Sequence, residues 1–209
     1  SLGFEKQGFE VVAAFEWWKA AIRCYAENFK HPVIEMDLSD TDEATKAVLA
    51  FKPDMIIGGP PCQDFSHAGK RIEAGRAVLT DAFATIVSNV RPQCFVMENV
   101  DRARNSNAYA SAREIFKSAG YGLTEVVLDA SLCGTPQKRK RFICFGMLGK
   151  KDGFATVAFA SRLSDHSITL REYFGNELGF EFYYRHPRNY NRRGIFSIDE
   201  PAPTMRGVN

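Results

Sequence analysis

The sequence predicts an α/β protein built around a doubly wound, mostly parallel sheet. Short apolar runs at 54–57 and 93–97 alternate with longer segments of helical periodicity, which is the rhythm of a βαβ repeat. Both runs stop abruptly at polar or turn-forming residues, as buried strands do at the edge of a sheet. The 209 residues are enough for one domain with a full core.

The first 50 residues are predicted to hold one strand and two helices. Residues 9–15 are apolar and β-branched enough for a strand, and 17–29 carry apolar side chains at helical spacing. Residues 41–50 read as a helix with acidic residues in its first turn, where the helix dipole favours them. Glu16 ends the strand, where an acidic residue commonly accepts hydrogen bonds from a ribose, although a solvated glutamate is the commoner case.

The alternation continues through the middle of the chain. Predicted helices and strands follow one another at 79–90, 93–97, 109–119, 123–128 and 142–148. Gly120 stands where a helix C-terminus favours glycine. Beyond Lys150 the alternation of strand and helix patterns is lost, and no further βα repeat is predicted.

Composition limits the setting in which the protein works. The net charge of +2 does not by itself indicate a polyanionic partner. Five cysteines are scattered without close pairs, which favours reduced thiols and a cytoplasmic or nuclear location and gives no metal-ligand spacing. No apolar run approaches the roughly 20 residues of a membrane span, so no membrane association is expected.

One loop carries a potential nucleophile. Cys62 follows the apolar run at 54–57 after two glycines and two prolines, and the prolines fix the backbone before it. An exposed loop thiol is reactive in its thiolate form. The alternative is a small buried hydrophobic residue, the usual role of a lone cysteine.

A carboxyl group is expected near this loop. Glu98 follows the strand at 93–97, and the carboxyl ends of parallel strands meet at one sheet edge. Glu98 and Cys62 should therefore emerge together.

Two basic segments follow. If 137–141 is extended, Gln137, Arg139 and Arg141 share one face, although a solvated basic strand is the simpler reading. Residues 185–193 contain four arginines, no acidic residue and nearby tyrosines, a composition suited to phosphate and base contacts. A basic surface loop without a partner is the alternative.

In this order, the Pro-Pro-Cys loop, the Glu-Asn-Val strand end and the Gln-x-Arg-x-Arg segment resemble the cytosine carbon-5 DNA methyltransferases of bacterial restriction-modification systems. The resemblance extends to Leu148. It implies a Rossmann-like methyltransferase fold, S-adenosylmethionine as cofactor and double-stranded DNA as substrate. A cognate restriction endonuclease acting on the same site is a candidate partner.

The resemblance also assigns catalytic roles. Cys62 would add to carbon 6 of cytosine, which makes carbon 5 nucleophilic enough to accept the methyl group. Glu98 would protonate or hydrogen-bond ring nitrogen 3, and Arg139 and Arg141 would bind the cytosine carbonyl or nearby groups. The target base must leave the duplex to reach these groups.

Further roles carried over from the family concern the cofactor and the nucleic acid. The expected cofactor-binding residues are Glu16, Trp17, Asp37, Leu38, Pro61 and Leu79. The expected nucleic-acid-binding residues are Gln63, Ser66, Arg71, Arg76, Gln137, Arg185, Arg188, Arg192 and Arg193.

The resemblance predicts two regions. Residues 1–150 would form the catalytic and cofactor-binding domain without its first glycine-rich turn, and 151–209 would lead into a target-recognition region. Sequence is expected to be missing at both ends, and the chain as it stands is expected not to methylate DNA alone.

Three other interpretations stay open. The same chemistry could act on transfer RNA, since a branch of the family has a similar cysteine loop. A catalytically silent DNA-binding fragment would keep the fold without binding cofactor. An ordinary α/β domain would bury Cys62.

Overall fold

A four-stranded mixed sheet forms the centre of the molecule. The computed structural model describes residues 1–61, 73–187, 191 and 193–204, with the backbone alone for 73–78. The strands are β3 (Met55–Gly58), β4 (Cys94–Val100), β5 (Tyr121–Asp129) and β7 (Lys140–Leu148), in the order β3-β4-β7-β5. β3 and β4 are parallel, and β7 is antiparallel to both of its neighbours. Three of the four strands therefore run in one direction, and β7 alone opposes them.

The first part of the chain forms a smaller parallel pair. It contains α1 (Leu2–Glu5), β1 (Ala14–Glu16), α2 (Lys19–Asn28), β2 (Val33–Glu35) and α3 (Thr41–Leu49). The predicted strand at 9–15 is shortened to β1, because β2 offers only three residues for pairing. α2 begins two residues later than predicted.

Two longer helices cover the sheet. α4 (Glu73–Val90) and α5 (Asn107–Ser118) pack against each other and against the central strands. Between them Phe95 of β4 stacks on Phe116 with ring centroids 4.2 Å apart. Both rings are fully buried, so each contributes roughly 1.5–3 kcal/mol of hydrophobic stabilisation.

A second, smaller core joins the parallel pair to α4. Ala44, Val48 and Ile86 are buried there, and Phe15 and Leu38 pack against them. This cluster holds the ends of β1 and β2 against the helix that follows the Cys62 loop in sequence.

The last third of the chain is made of short elements. β6 (Gln137–Lys138) precedes β7, and beyond β7 follow α6 (Thr156–Ala160), α7 (Leu170–Phe174), β8 (Phe182–Tyr184), β9 (Ile195–Ser197) and β10 (Ala202–Pro203). β8 and β9 form an antiparallel hairpin, and β10 pairs with β6 in parallel.

Most predicted elements of the first 150 residues have counterparts in the structure. The helices at 41–50, 79–90 and 109–119 correspond to α3, α4 and α5, and Gly120 adopts the positive φ of +92° expected after a helix. The α/β class is confirmed. Across the described part of the chain, no helix is both long and apolar enough to cross a bilayer.

Candidate active site

The carboxyl ends of β3 and β4 lie side by side, as predicted from a parallel arrangement. Gly58 pairs with Met97, and a Cβ atom added to Gly59 would lie 3.4 Å from Oε2 of Glu98. The segment leading to Cys62 therefore passes directly beside the Glu98 carboxylate. Cys62 itself lies outside the described residues.

Glycine at position 58 is required by packing. A Cβ atom there would lie 2.4 Å from a ring carbon of Phe83 on α4. The Gly-Gly pair thus lets the chain pass between the α4 ring on one side and the Glu98 carboxylate on the other.

The next residue of the loop is held by a side chain of β4. Nδ2 of Asn99 donates a hydrogen bond of 3.0 Å to the carbonyl of Pro60. Asn99 is buried, and its Oδ1 accepts the backbone N–H of Val100 at 2.8 Å. Sequence reasoning gave Asn99 no role.

Glu98 and Arg141 form an ion pair at this edge. The distance from Nε of Arg141 to Oε1 of Glu98 is 2.6 Å. The antiparallel ladder between β4 and β7 explains the contact, because it pairs Arg141 with Val100. The side chain of Glu98 remains 45% exposed, so this ion pair is partly open to solvent. Two of the four predicted catalytic residues are therefore in direct contact.

Arg139 occupies the break between β6 and β7. Its backbone N–H donates to Oδ1 of Asp129 at 3.2 Å, and its carbonyl accepts the N–H of Ala130. The same Asp129 oxygen accepts bonds from the N–H and hydroxyl of Ser131. Asp129 thus links the turn after β5 to the backbone at Arg139, between β6 and β7. The signal in the sequence was an aspartate followed two residues later by serine at the end of a strand, a common side-chain cap.

The predicted cofactor residues Glu16 and Asp37 lie at the ends of adjacent parallel strands. Oε1 of Glu16 accepts the N–H groups of Trp17 and Trp18, each at 2.9 Å, which delays the start of α2. Oδ1 of Asp37 accepts the N–H of Ser39, and this bond lowers the pKa of Asp37 below its ordinary value. Two ionisable carboxylates and the 69% exposed indole of Trp17 therefore share one edge.

The other predicted cofactor residues are less distinctive. Leu38 packs against the second core, Leu79 is half-buried on α4, and Pro61 is exposed.

The predicted nucleic-acid residues fall into two groups. Gln137 is paired in β6, Arg185 donates its backbone N–H to Gly194, and Arg193 forms an ion pair with Glu200. Arg193 also lies over the ring of Phe196 at 4.6 Å, so phosphate binding by Arg193 would compete with contacts inside the protein. Outside the described part of the chain lie Gln63, Ser66, Arg71, Arg188 and Arg192, together with the side chain of Arg76.

Comparisons with known proteins agree with this geometry. The family model for C-5 cytosine-specific DNA methylase matches residues 1–195. The Type II methyltransferase M.HindV of Haemophilus influenzae is 55% identical over the whole chain, which covers 69% of that protein. M.HgiDI of Herpetosiphon aurantiacus is 50% identical over the whole chain, with 68% of its length covered.

A solved structure supports the fold. The S. pombe Dnmt2 methyltransferase aligns with a TM-score of 0.64 and 21% identity over 87% of this chain. The alignment covers 54% of the S. pombe chain.

Proposed function

Because the chain belongs to the C-5 cytosine-specific DNA methylases, we propose that it carries the methyl-transfer chemistry of a restriction-modification enzyme. Its substrate is carbon 5 of a cytosine flipped out of duplex DNA, and Cys62 is its nucleophile. The methyl donor is S-adenosylmethionine.

The observation that carries this proposal is the arrangement around Glu98. The carboxylate lies beside Gly59, three residues before Cys62, and touches Arg141 at 2.6 Å. A carboxyl group and a guanidinium next to the base of a cysteine loop are the groups needed to bind the polar edge of a cytosine while a thiolate attacks its ring.

Each residue then has a distinct task. The thiolate of Cys62 forms a bond to carbon 6, and the electron pair displaced from the 5,6 double bond makes carbon 5 nucleophilic. Glu98 in its protonated form donates a hydrogen bond or its proton to ring nitrogen 3 and so neutralises the negative charge that develops there. Arg141 orients the Glu98 carboxylate, and Arg139 and Arg141 together supply positive charge for the cytosine carbonyl. Carbon 5 then takes the methyl group that the bound cofactor would supply. A base removes the carbon 5 proton, and the freed electron pair restores the 5,6 double bond and expels the Cys62 thiolate.

The residues at the ends of β1 and β2 fit a nucleoside-bearing cofactor. Glu16 has one oxygen fixed by backbone N–H groups, a geometry that holds its carboxylate ready to accept ribose hydroxyls. Trp17 offers an exposed aromatic face for an adenine, and Asp37, Leu38, Pro61 and Leu79 complete the proposed site. When bound, S-adenosylmethionine supplies an electrophilic methyl group.

The proposed DNA contacts come from three segments of the chain. Gln63, Ser66, Arg71 and Arg76 belong to the segment that follows Cys62, and Gln137 belongs to the basic strand. Arg185, Arg188, Arg192 and Arg193 bring positive charge to the 151–209 region, which we propose leads into target recognition. Phosphate contacts of this kind fix the register of the protein on DNA.

The cellular setting follows from the same proposal. A bacterial cytoplasm agrees with a chain whose cysteines are scattered without close pairs. A restriction endonuclease that cuts the same DNA site is the proposed partner.

The decisive experiment traps the covalent intermediate. Full-length protein is mixed with S-adenosylmethionine and duplex DNA containing 5-fluorocytosine, whose fluorine blocks removal of the group at carbon 5. Mass spectrometry is expected to locate an adduct on the peptide containing Cys62, and Cys62→Ala should abolish it. Cys24→Ala, which removes an exposed cysteine of α2, is the matched control and should retain the adduct.

Two results would contradict the proposal. An adduct on another cysteine would exclude Cys62 as nucleophile. Methyl transfer to transfer RNA but not to duplex DNA would assign the same chemistry to the other substrate.

A further inference from the structure

The regular hydrogen bonding between β3 and β4 is interrupted at the base of the cysteine loop. The N–H of Cys94 donates to the carbonyl of Asp54 at 3.2 Å, in the parallel register of β3 and β4. A parallel ladder repeats every two residues, so the same series would bring the N–H of Val100 to the carbonyl of Pro60. That direct bond is not made.

The side chain of Asn99 stands between these two backbone groups. Its Oδ1 accepts the N–H of Val100 at 2.8 Å, and its Nδ2 donates to the carbonyl of Pro60 at 3.0 Å. The amide thus replaces one ladder bond with two and holds Pro60 away from β4 by its own width.

The two prolines explain why a side chain is needed. Pro60 and Pro61 have no N–H, so neither can continue the donor series of β3. Pro60 is nevertheless buried, and a buried carbonyl requires a donor. Asn99 supplies that donor without bringing Pro60 into the strand.

We propose that Asn99 is a positioning residue for the methyl transfer: its amide fixes Pro60, and thereby the point from which the chain departs toward Cys62. This inference rests on the proposed function. Glu98 and Asn99 are adjacent on β4, so one strand end sets both the carboxylate and the start of the nucleophile's loop. The distance between the two catalytic groups then depends on the Asn99 amide.

The test uses Asn99→Asp in the full-length protein. A carboxylate can still accept the Val100 N–H but cannot donate to Pro60, and it repels that carbonyl. We expect kcat for methylation of unmethylated plasmid DNA to fall about 100-fold, the size of effect that a misplacement of about 1 Å can produce. The KM for S-adenosylmethionine should stay within about twofold of wild type. The rate of adduct formation on 5-fluorocytosine DNA should fall in parallel with kcat.

Two further variants make the result specific. Asn99→Ala removes the inserted amide without adding charge. It should likewise lower kcat while leaving the KM for S-adenosylmethionine nearly unchanged. Asn107→Asp adds a negative charge on an exposed position in the first turn of α5, where the helix dipole favours it, and should methylate at the wild-type rate.

The outcomes separate this inference from the proposed function. If wild-type protein forms no Cys62 adduct, the proposed function fails. If wild type is active and both Asn99 variants match it, the positioning role is wrong. Equal losses in kcat and in cofactor affinity would also overturn it, because they would indicate general structural damage.

Discussion

Single atoms decide the conformation of the chain where it approaches Cys62. Gly58 is in a strand, where glycine is normally unfavourable, but the ring of Phe83 occupies the place of its side chain. The same packing of a ring against a glycine occurs inside the sheet, where Phe95 fills the space beside Gly146. At both positions an aromatic ring packs against bare backbone, so the core is sensitive to a single added methyl group.

Gly58→Ala should destabilise the folded protein. The new Cβ would lie 2.4 Å from Phe83, and the forced shift should reduce the free energy of unfolding by about 1–3 kcal/mol. Urea denaturation followed by circular dichroism measures this change. Gly3→Ala is the matched control, because nothing lies within 4 Å of the added atom. An unchanged urea midpoint for Gly58→Ala would show that Phe83 moves freely.

At the scale of elements, polar contacts join α5 to β5. Oδ1 of Asp152 accepts the Leu123 N–H at 2.9 Å and the Lys117 ammonium at 2.7 Å. The Lys117 hydrogen bond is the main cause that lowers the pKa of Asp152 below its usual value, and the Leu123 bond adds to it. The folded state therefore favours the ionised carboxylate.

Acid should remove this stabilisation. Because the folded pKa of Asp152 is lowered, its contribution is complete above the unfolded pKa of about 4 and disappears as the pH falls through the folded value. We expect Asp152→Asn to be less stable than wild type from pH 7 to 5, with the difference shrinking below about pH 4. Chemical denaturation across this pH range tests it. Asp165→Asn, which changes an exposed aspartate, is the control. Its difference in free energy of unfolding from wild type should not vary over this pH range.

Helices with a strong hydrophobic periodicity were predictable from the sequence. Strand ends that depend on a neighbouring strand or a distant side chain were not. The amphipathic pattern fixes α3, α4 and α5 because one face of each must be buried. The length of β1 is set by the three residues of β2, which propensity alone does not reveal. The break at Arg139 depends on Asp129, ten residues earlier in the chain.

At the scale of the whole molecule, the parts of the chain before and after residue 150 differ in how much hydrophobic core they build. Both hydrophobic clusters are built from residues up to 148. The region after 150 contributes Ala155 and Ile198 as buried hydrophobic side chains, and its Phe154 and Phe159 rings pack against Phe145 of β7. Arg171 on α7 binds both Glu181 and Asp199, which flank the β8–β9 hairpin.

Arg171→Ala should therefore loosen the hairpin while preserving the central sheet. Limited proteolysis is expected to cut 175–200 several times faster than in wild type, with the melting temperature of the sheet little changed. Arg162→Ala removes an exposed arginine that has no ion pair among the described residues and should leave the cleavage rate unaltered. Equal cleavage rates for all three proteins would show that the backbone contacts suffice.

The sequence predicted which residues the candidate site contains better than it predicted the contacts between them. The proximity of Glu98 to the Cys62 loop follows from parallel strands, and the structure places Glu98 beside Gly59. The Glu98–Arg141 contact requires knowing that β7 enters the sheet next to β4. The amide of Asn99 in the ladder depends on atomic geometry that no residue pattern specifies.

The antiparallel strand β7 has a consequence for how the protein is made. β4 and β5 are consecutive strands in the chain, yet β7 lies between them and is the last of the four central strands to leave the ribosome. The sheet cannot close until Leu148 has emerged, and until then β4 and β5 present open edges that can pair with other chains. A nascent chain halted before that residue therefore exposes backbone N–H and C=O groups of β4 and β5 that β7 pairs in the folded protein.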